Sequence, residues 1–157
     1  MRACSRSILV IFIAVLALAV AVPAADQNPN IGTWKMIPAK SKSSSAPMKS
    51  YIIKIEVQGD GVKVVQDMIQ ADGKALHRSW TAKYDGKEYP VTAPDADTMS
   101  FTRPDAPTTE YVFKKNGKEV WRGRAVVSKD GKSSIDTGGG TDANGQPFTY
   151  SIFAEKQ

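Results

Sequence analysis

Apolar and polar side chains alternate with a period of two along most of this chain. In SYIIKIEVQ, residues 50–58, Tyr51, Ile53, Ile55 and Val57 share one face. Lys54, Glu56 and Gln58 share the other, with Ile52 out of pattern. ALHRSWTAKY, residues 75–84, puts Leu76, Arg78, Trp80, Ala82 and Tyr84 on one side. TEYVFKK sets Tyr111 and Phe113 against Glu110, Val112 and Lys114, and FTYSIFAEK sets Phe148, Tyr150, Ile152 and Ala154 against Thr149, Ser151, Phe153 and Glu155. A period of two marks a half-buried strand. No window carries a helical stripe of useful length, so the pattern predicts a nearly all-β domain. In GVKVVQDMIQ both faces carry apolar groups, which leaves the inward face open.

The strands are separated by a recurring turn chemistry. Asp60, Asp72, Asp85, Asp95, Asp105, Asn116, Asp130 and Asn144 lie 10 to 14 residues apart, most of them beside a glycine or a proline. Asp-Gly and Asn-Gly supply the positive φ angles of tight hairpins, and Pro-Asp pre-sets the first angle of a turn. KYDGKEYPV, residues 83–91, is therefore expected to be a turn with solvating lysines, not a binding site. Short strands joined in order by tight turns form a meander. Closing the meander removes its two exposed edges, which predicts an up-and-down antiparallel barrel of about 8–10 strands. A sandwich of two sheets is the alternative, but it more often uses long crossing connections. Residues 37–50 break the rhythm. They are rich in Ser, Lys and Pro and are expected either to cover one mouth of the barrel as a flexible lid or to form a plain surface loop.

The first residues follow a different logic. Arg2 and Arg6 precede an apolar run over residues 8–22 that ends in VPAAD. The run is shorter than the roughly 20 residues that span a bilayer comfortably. It reads as a secretory signal peptide, residues 1–24, cleaved near Ala24, or alternatively after Ala21 or Ala25. An uncleaved membrane anchor is the competing reading. The domain is then residues 25–157, exported to the periplasm or secreted. Cys4, the only cysteine, precedes the apolar run, which disfavours lipid anchoring; cleavage would leave no thiol and no disulfide. Loss of Arg2 and Arg6 lowers the formal charge from +5 to +3, since no acidic residue precedes Asp26. Charge that modest and scattered asks for neither nucleic acid nor membrane.

Catalytic and metal chemistry find little support. His77 is the only histidine, so neither a multi-histidine metal site nor a cysteine set is available after cleavage. No Gly-x-Ser-x-Gly signature is present. Asp95, Asp97 and Asp105 lack the spacing of a calcium loop. TGGGT, residues 137–141, has no Lys-Ser pair to make a phosphate cradle. No cofactor or metal is expected. The aromatic set is more informative. Trp80, Tyr84, Phe101, Tyr111, Phe113 and Tyr150, with Arg78, are the candidate ligand-binding residues of an apolar pocket. Alternatively they fill the barrel as core. An inward Arg78 needs a partner, for which Asp67, Glu88 and an acidic ligand head are candidates.

The motif order adds a family resemblance. Gly32-Thr33-Trp34 in NIGTWKM looks like the Gly-x-Trp signature of lipocalins. Thr109-Glu110-Tyr111 is similar to their Thr-Asp-Tyr motif, and Arg122 and Arg124 in WRGRAVV lie where the family places an arginine. The chain thus resembles small secreted bacterial lipocalin-like proteins of the calycin superfamily. It is distantly similar to fatty-acid-binding proteins, though it lacks their two helices and their Arg-x-Tyr anchor in the last strand. The resemblance implies that Gly32, Trp34 and Arg124 or Arg122 close the barrel floor, arginine stacked on tryptophan. It also implies a non-enzymatic carrier of a small hydrophobic or amphipathic ligand. The alternative is a ligand-free, filled barrel serving as a cell-envelope structural or protein-interaction module.

Overall fold

A computed structural model describes residues 28–142 and 144–157. The expected signal peptide lies outside the described residues. The chain forms one antiparallel meander of ten long strands: β1 (Gly32–Met36), β3 (Ser50–Gln58), β4 (Gly61–Ile69), β5 (Ala75–Ala82), β6 (Asp85–Thr92), β7 (Thr98–Asp105), β8 (Thr108–Lys115), β9 (Lys118–Val127), β10 (Ser133–Thr141) and β11 (Pro147–Lys156). Each strand pairs with its neighbour in sequence. β1 pairs β3 on one side and β11 on the other, through Trp34↔Lys156, Lys35↔Glu155 and Met36↔Ala154. That last pairing closes the barrel, and an all-β up-and-down barrel is what the alternation predicts.

All eight turns fall where the Asp and Asn signals stand. Gln58 pairs with Gly61 around Gly59-Asp60, and Lys115 pairs with Lys118 around Asn116-Gly117. At the latter both central residues have positive φ, 52° and 72°, the geometry that matches the twist of a two-residue hairpin. In KYDGKEYPV only Lys83 and Tyr84 lie between strands; the bend runs through Asp85-Gly86 and the rest of the stretch belongs to β6. The pairs Ser79↔Thr92 and Trp80↔Val91 are centred on Asp85-Gly86. Asp85 accepts the Lys87 amide at 3.0 Å, which fixes the bend. Asp85 also starts the pairing with β7, opposite Thr102, and the register shifts between Asp85 and Glu88.

The inward faces follow the predicted parity with one exception. Val57 is 68% exposed, because β3 overruns the barrel rim toward its turn. In β4 the structure selects Val62, Val64, Gln66 and Met68 as the inward row. Val62, Val64, Trp80, Ala82, Met99, Phe101, Phe113 and Trp121 form the main core. Met36, Tyr51, Met68 and Ile152 form a second cluster against β1, β3 and β11. Each such side chain stabilises the fold by about 1.5–3 kcal/mol on burial.

Residues 37–49 become part of the wall. They contain a short 3-10 turn (Pro38–Lys40) and a two-residue strand, β2 (Lys42–Ser43), which pairs with β11 through Tyr150↔Ser43 and Ser151↔Lys42. Ser41 Oγ accepts the Phe153 amide at 3.0 Å, and Ser44 Oγ accepts the Thr149 amide at 2.8 Å. The segment lies over the cavity as the lid alternative expected, but its serines staple it to the last strand instead of leaving it flexible.

A candidate ligand cavity inside the barrel

The barrel interior is filled at one end and open at the other. Beneath residues 37–49 lies a cavity of about 210 Å³. Met36, Met68 and Ile152 form part of its apolar wall, with Met48 from the covering segment. Aromatic rings form most of the rest: Tyr51, Tyr111, Phe113, Trp121, Phe148 and Tyr150.

Its polar wall arises from one row of residues. Tyr111 on β8 pairs with Gly123 on β9, Gly123 with Gly138 on β10, and Gly138 with Tyr150 on β11. Two tyrosines thus flank two glycines across about 14 Å, three strand spacings. The rings lean inward over the glycines until their hydroxyls meet in a short hydrogen bond. A Cβ on Gly123 would lie 2.3 Å from the Tyr111 hydroxyl, and one on Gly138 would lie 2.4 Å from that of Tyr150. These glycines are required for space, not for a turn. Two residues before Gly138 on the same face, Asp136 points inward. The Tyr111 hydroxyl donates to its carboxylate, at 2.7 and 2.8 Å from the two oxygens. Burial pushes the Asp136 carboxyl up to about 7, although the Tyr111 hydrogen bond pulls the other way. Tyr111 is raised well above the ordinary phenol range, first by burial and then by the Asp136 charge. Tyr150 and Tyr51 are raised for the same two reasons.

Opposite stands Arg78. Its guanidinium grips Asp95 with two nitrogens, Nε donating at 3.0 Å and Nη2 to the second oxygen. It lies over the Trp121 ring at 4.4 Å and donates to Gln66 Oε1 at 3.4 Å. Gln66 in turn donates to the Tyr51 hydroxyl at 2.7 Å. The partner is therefore Asp95, not Asp67 or Glu88. Asp67 bonds His77 on the outer surface, and Glu88 pairs with Lys114 there. The loop between β6 and β7 carries Asp95 over the barrel end, a contact that strand parity cannot reveal.

Of the expected ligand-binding residues, Arg78, Tyr111, Phe113 and Tyr150 line the cavity. Trp80, Tyr84 and Phe101 do not. They pack together at the filled end, with Trp80 to Phe101 at 6.0 Å and Tyr84 to Phe101 at 5.3 Å between ring centres. Asp136, Tyr51 and Gln66 were not expected at the cavity.

The expected closure also changes. Arg122 and Arg124 lie on the outer face, paired with Glu119 and Glu110. Trp121 and Gly123 point in, so the alternation turns both arginines out. Trp34 is buried and donates its Nε1 to the Asn30 carbonyl at 2.8 Å. The cation over its ring is Lys156, at 5.0 Å, from the strand that closes the barrel. Gly32 fits this corner, because its φ of 133° is a conformation that other residues adopt only under strain.

Fold and cavity together define an up-and-down β-barrel with a small interior pocket. No family model matches the chain, and no curated protein matches it. Among solved structures it is similar to the zebrafish ileal bile acid-binding protein complexed with cholic acid. That likeness has 9% identity and a TM-score of 0.48, and covers 82% of this chain and 99% of that one. It is also similar to the siderocalin Ex-FABP, described as working through dual ligand specificities, at 12% identity and a TM-score of 0.35, covering 81% of this chain and 73% of that one.

Proposed function

We propose that the chain is an exported, lipocalin-like binding protein that holds one small amphipathic molecule in its barrel and makes or breaks no bond in it. The observation that carries this reading is the cavity of about 210 Å³ with an apolar, aromatic lining and its polar groups gathered on two facing walls. An apolar cavity of about 150 Å³ takes up benzene. The volume here suits a single ring, or a short chain, with one polar substituent. Such a lining with a few placed polar groups is the usual build of a small-molecule pocket. The packing of Trp80, Tyr84 and Phe101 into core favours a small occupant, since it takes their end of the barrel out of the cavity.

The test is to express the full precursor in a bacterium and purify the exported form. Its mass is recorded natively and again after denaturation with solvent extraction. Extra mass released on denaturation is the expected result. A bare native mass, unchanged by a panel of lipids and small aromatics, would make the protein a filled barrel and an interaction module.

A further inference from the structure

We propose that the ligand is a small lipophilic amine, whose protonated nitrogen is received by Asp136 inside a ring of aromatic faces. This rests on the carrier reading above. The argument is one of charge inventory. Among the described residues the cavity presents one interior cation, Arg78, and Asp95 already neutralises it through a two-point contact while Trp121 covers its face. Lys42, on the covering segment, is exposed at the rim. Among the described residues Asp136 accepts from the Tyr111 phenol alone. A carboxylate has about four lone-pair sites, and one hydroxyl proton leaves most of them free.

The groups facing Asp136 are phenols. They are Tyr111 from β8, Tyr150 from β11 and Tyr51 from β3, with Arg78 of β5 acting on Tyr51 and Tyr150. β9 offers only Gly123 and Ala125 beside it. An ammonium supplies three donors to such a carboxylate. The electron-rich ring faces around it attract the same charge. A carboxylate ligand would meet Asp136 as a like charge, and at Arg78 it would find outside the grip of Asp95 chiefly Nη1, which already donates to Gln66 and Met68.

The interior acid titrates at about 7, while an aliphatic amine stays protonated to about pH 10. The charge pair therefore exists above the titration of Asp136, and affinity falls as pH drops through it.

Isothermal titration calorimetry with phenethylamine, phenethyl alcohol and phenylacetate separates the outcomes, because the three share one body and differ in the head. At about pH 8 the amine should bind about tenfold or more tighter than the alcohol. That ratio should shrink toward one at about pH 6 and in Asp136→Asn at either pH, with circular dichroism confirming the variant's fold. Equal binding of amine and alcohol by the wild type would overturn the inference and leave the carrier reading standing. So would tightest binding of phenylacetate, which would make Arg78 the anchor. Binding of none of the three would overturn the inference, and the native-mass test above would then decide the carrier reading separately.

Discussion

Asp136 and Gly138 sit two residues apart on one face of β10 and act on the fold in opposite ways. The carboxyl of Asp136 is held at about 7 against 3.8 for an exposed aspartate, because burial disfavours its charged form. Between those values the folded state keeps a proton that the unfolded chain has released. The neutral acid's contribution is thus full below about 3.8 and is lost as pH rises to about 7. At about 1.4 kcal/mol per pH unit the loss is at most about 4 kcal/mol. Surface carboxylates such as Asp72, Asp85 and Asp97 are held below the ordinary range by backbone amides and lysines, so they titrate under this window. Urea unfolding of the ligand-free protein should therefore show a midpoint that declines from about pH 5 to about pH 8. Asp136→Asn should flatten that decline and be the more stable protein at the upper end. Parallel pH profiles for the two would mean that Asp136 does not titrate in the fold. Gly138→Ala tests the room beneath the tyrosines. Its Cβ would press on the Tyr150 hydroxyl and on the Arg122 carbonyl, both at 2.4 Å. Overpacking of this kind costs about 1–3 kcal/mol, and the same unfolding measurement reads it. Full stability in Gly138→Ala would show that the tyrosine pair is free to move aside.

At the scale of the element, the barrel is not uniformly joined. β3 and β4 pair along their whole length, from Ser50↔Ile69 to Gln58↔Gly61. β5 and β6 meet only at Ser79↔Thr92 and Trp80↔Val91 before they part toward the Asp85-Gly86 turn. A seam with few ladder bonds opens at low free energy. Amide hydrogen exchange should be faster along the β5–β6 edge than along β3–β4, and equal protection would refute a weak seam there. This unevenness also shows what strand reading can reach. The turns were legible because Asp-Gly and Asn-Gly demand positive φ, as Asn116 and Gly117 adopt. The inward faces of β3, β5, β8 and β11 were legible from parity. The polar wall was not, because SSIDTGGGT carries no apolar alternation; its inward row is Ser134, Asp136, Gly138 and Gly140. Parity could have rescued β9, where Trp121 inside forces Arg122 and Arg124 outside. The Arg78–Asp95 pair crosses from a strand to a loop, and no local pattern encodes such a contact.

For the molecule as a whole, the proposed export would bear on stability through one residue. Cys4 is the only cysteine and stands before the apolar run of residues 8–22. Cleavage near Ala24 would leave about 130 residues held by core packing and a closed ladder of hydrogen bonds, with a formal charge of +3. A closed barrel suits that situation, because it leaves little free edge along which copies could pair. Two results should then coincide for the exported form. Thiol alkylation after denaturation should add no mass, whereas the uncleaved precursor should gain a single adduct. The melting temperature should be the same with and without reductant, since no disulfide contributes. An exported or membrane-bound form that still takes up the alkylating label would establish that the first segment is retained as an anchor. The barrel would then be tethered at the membrane, with its cavity working beside the bilayer instead of in free solution.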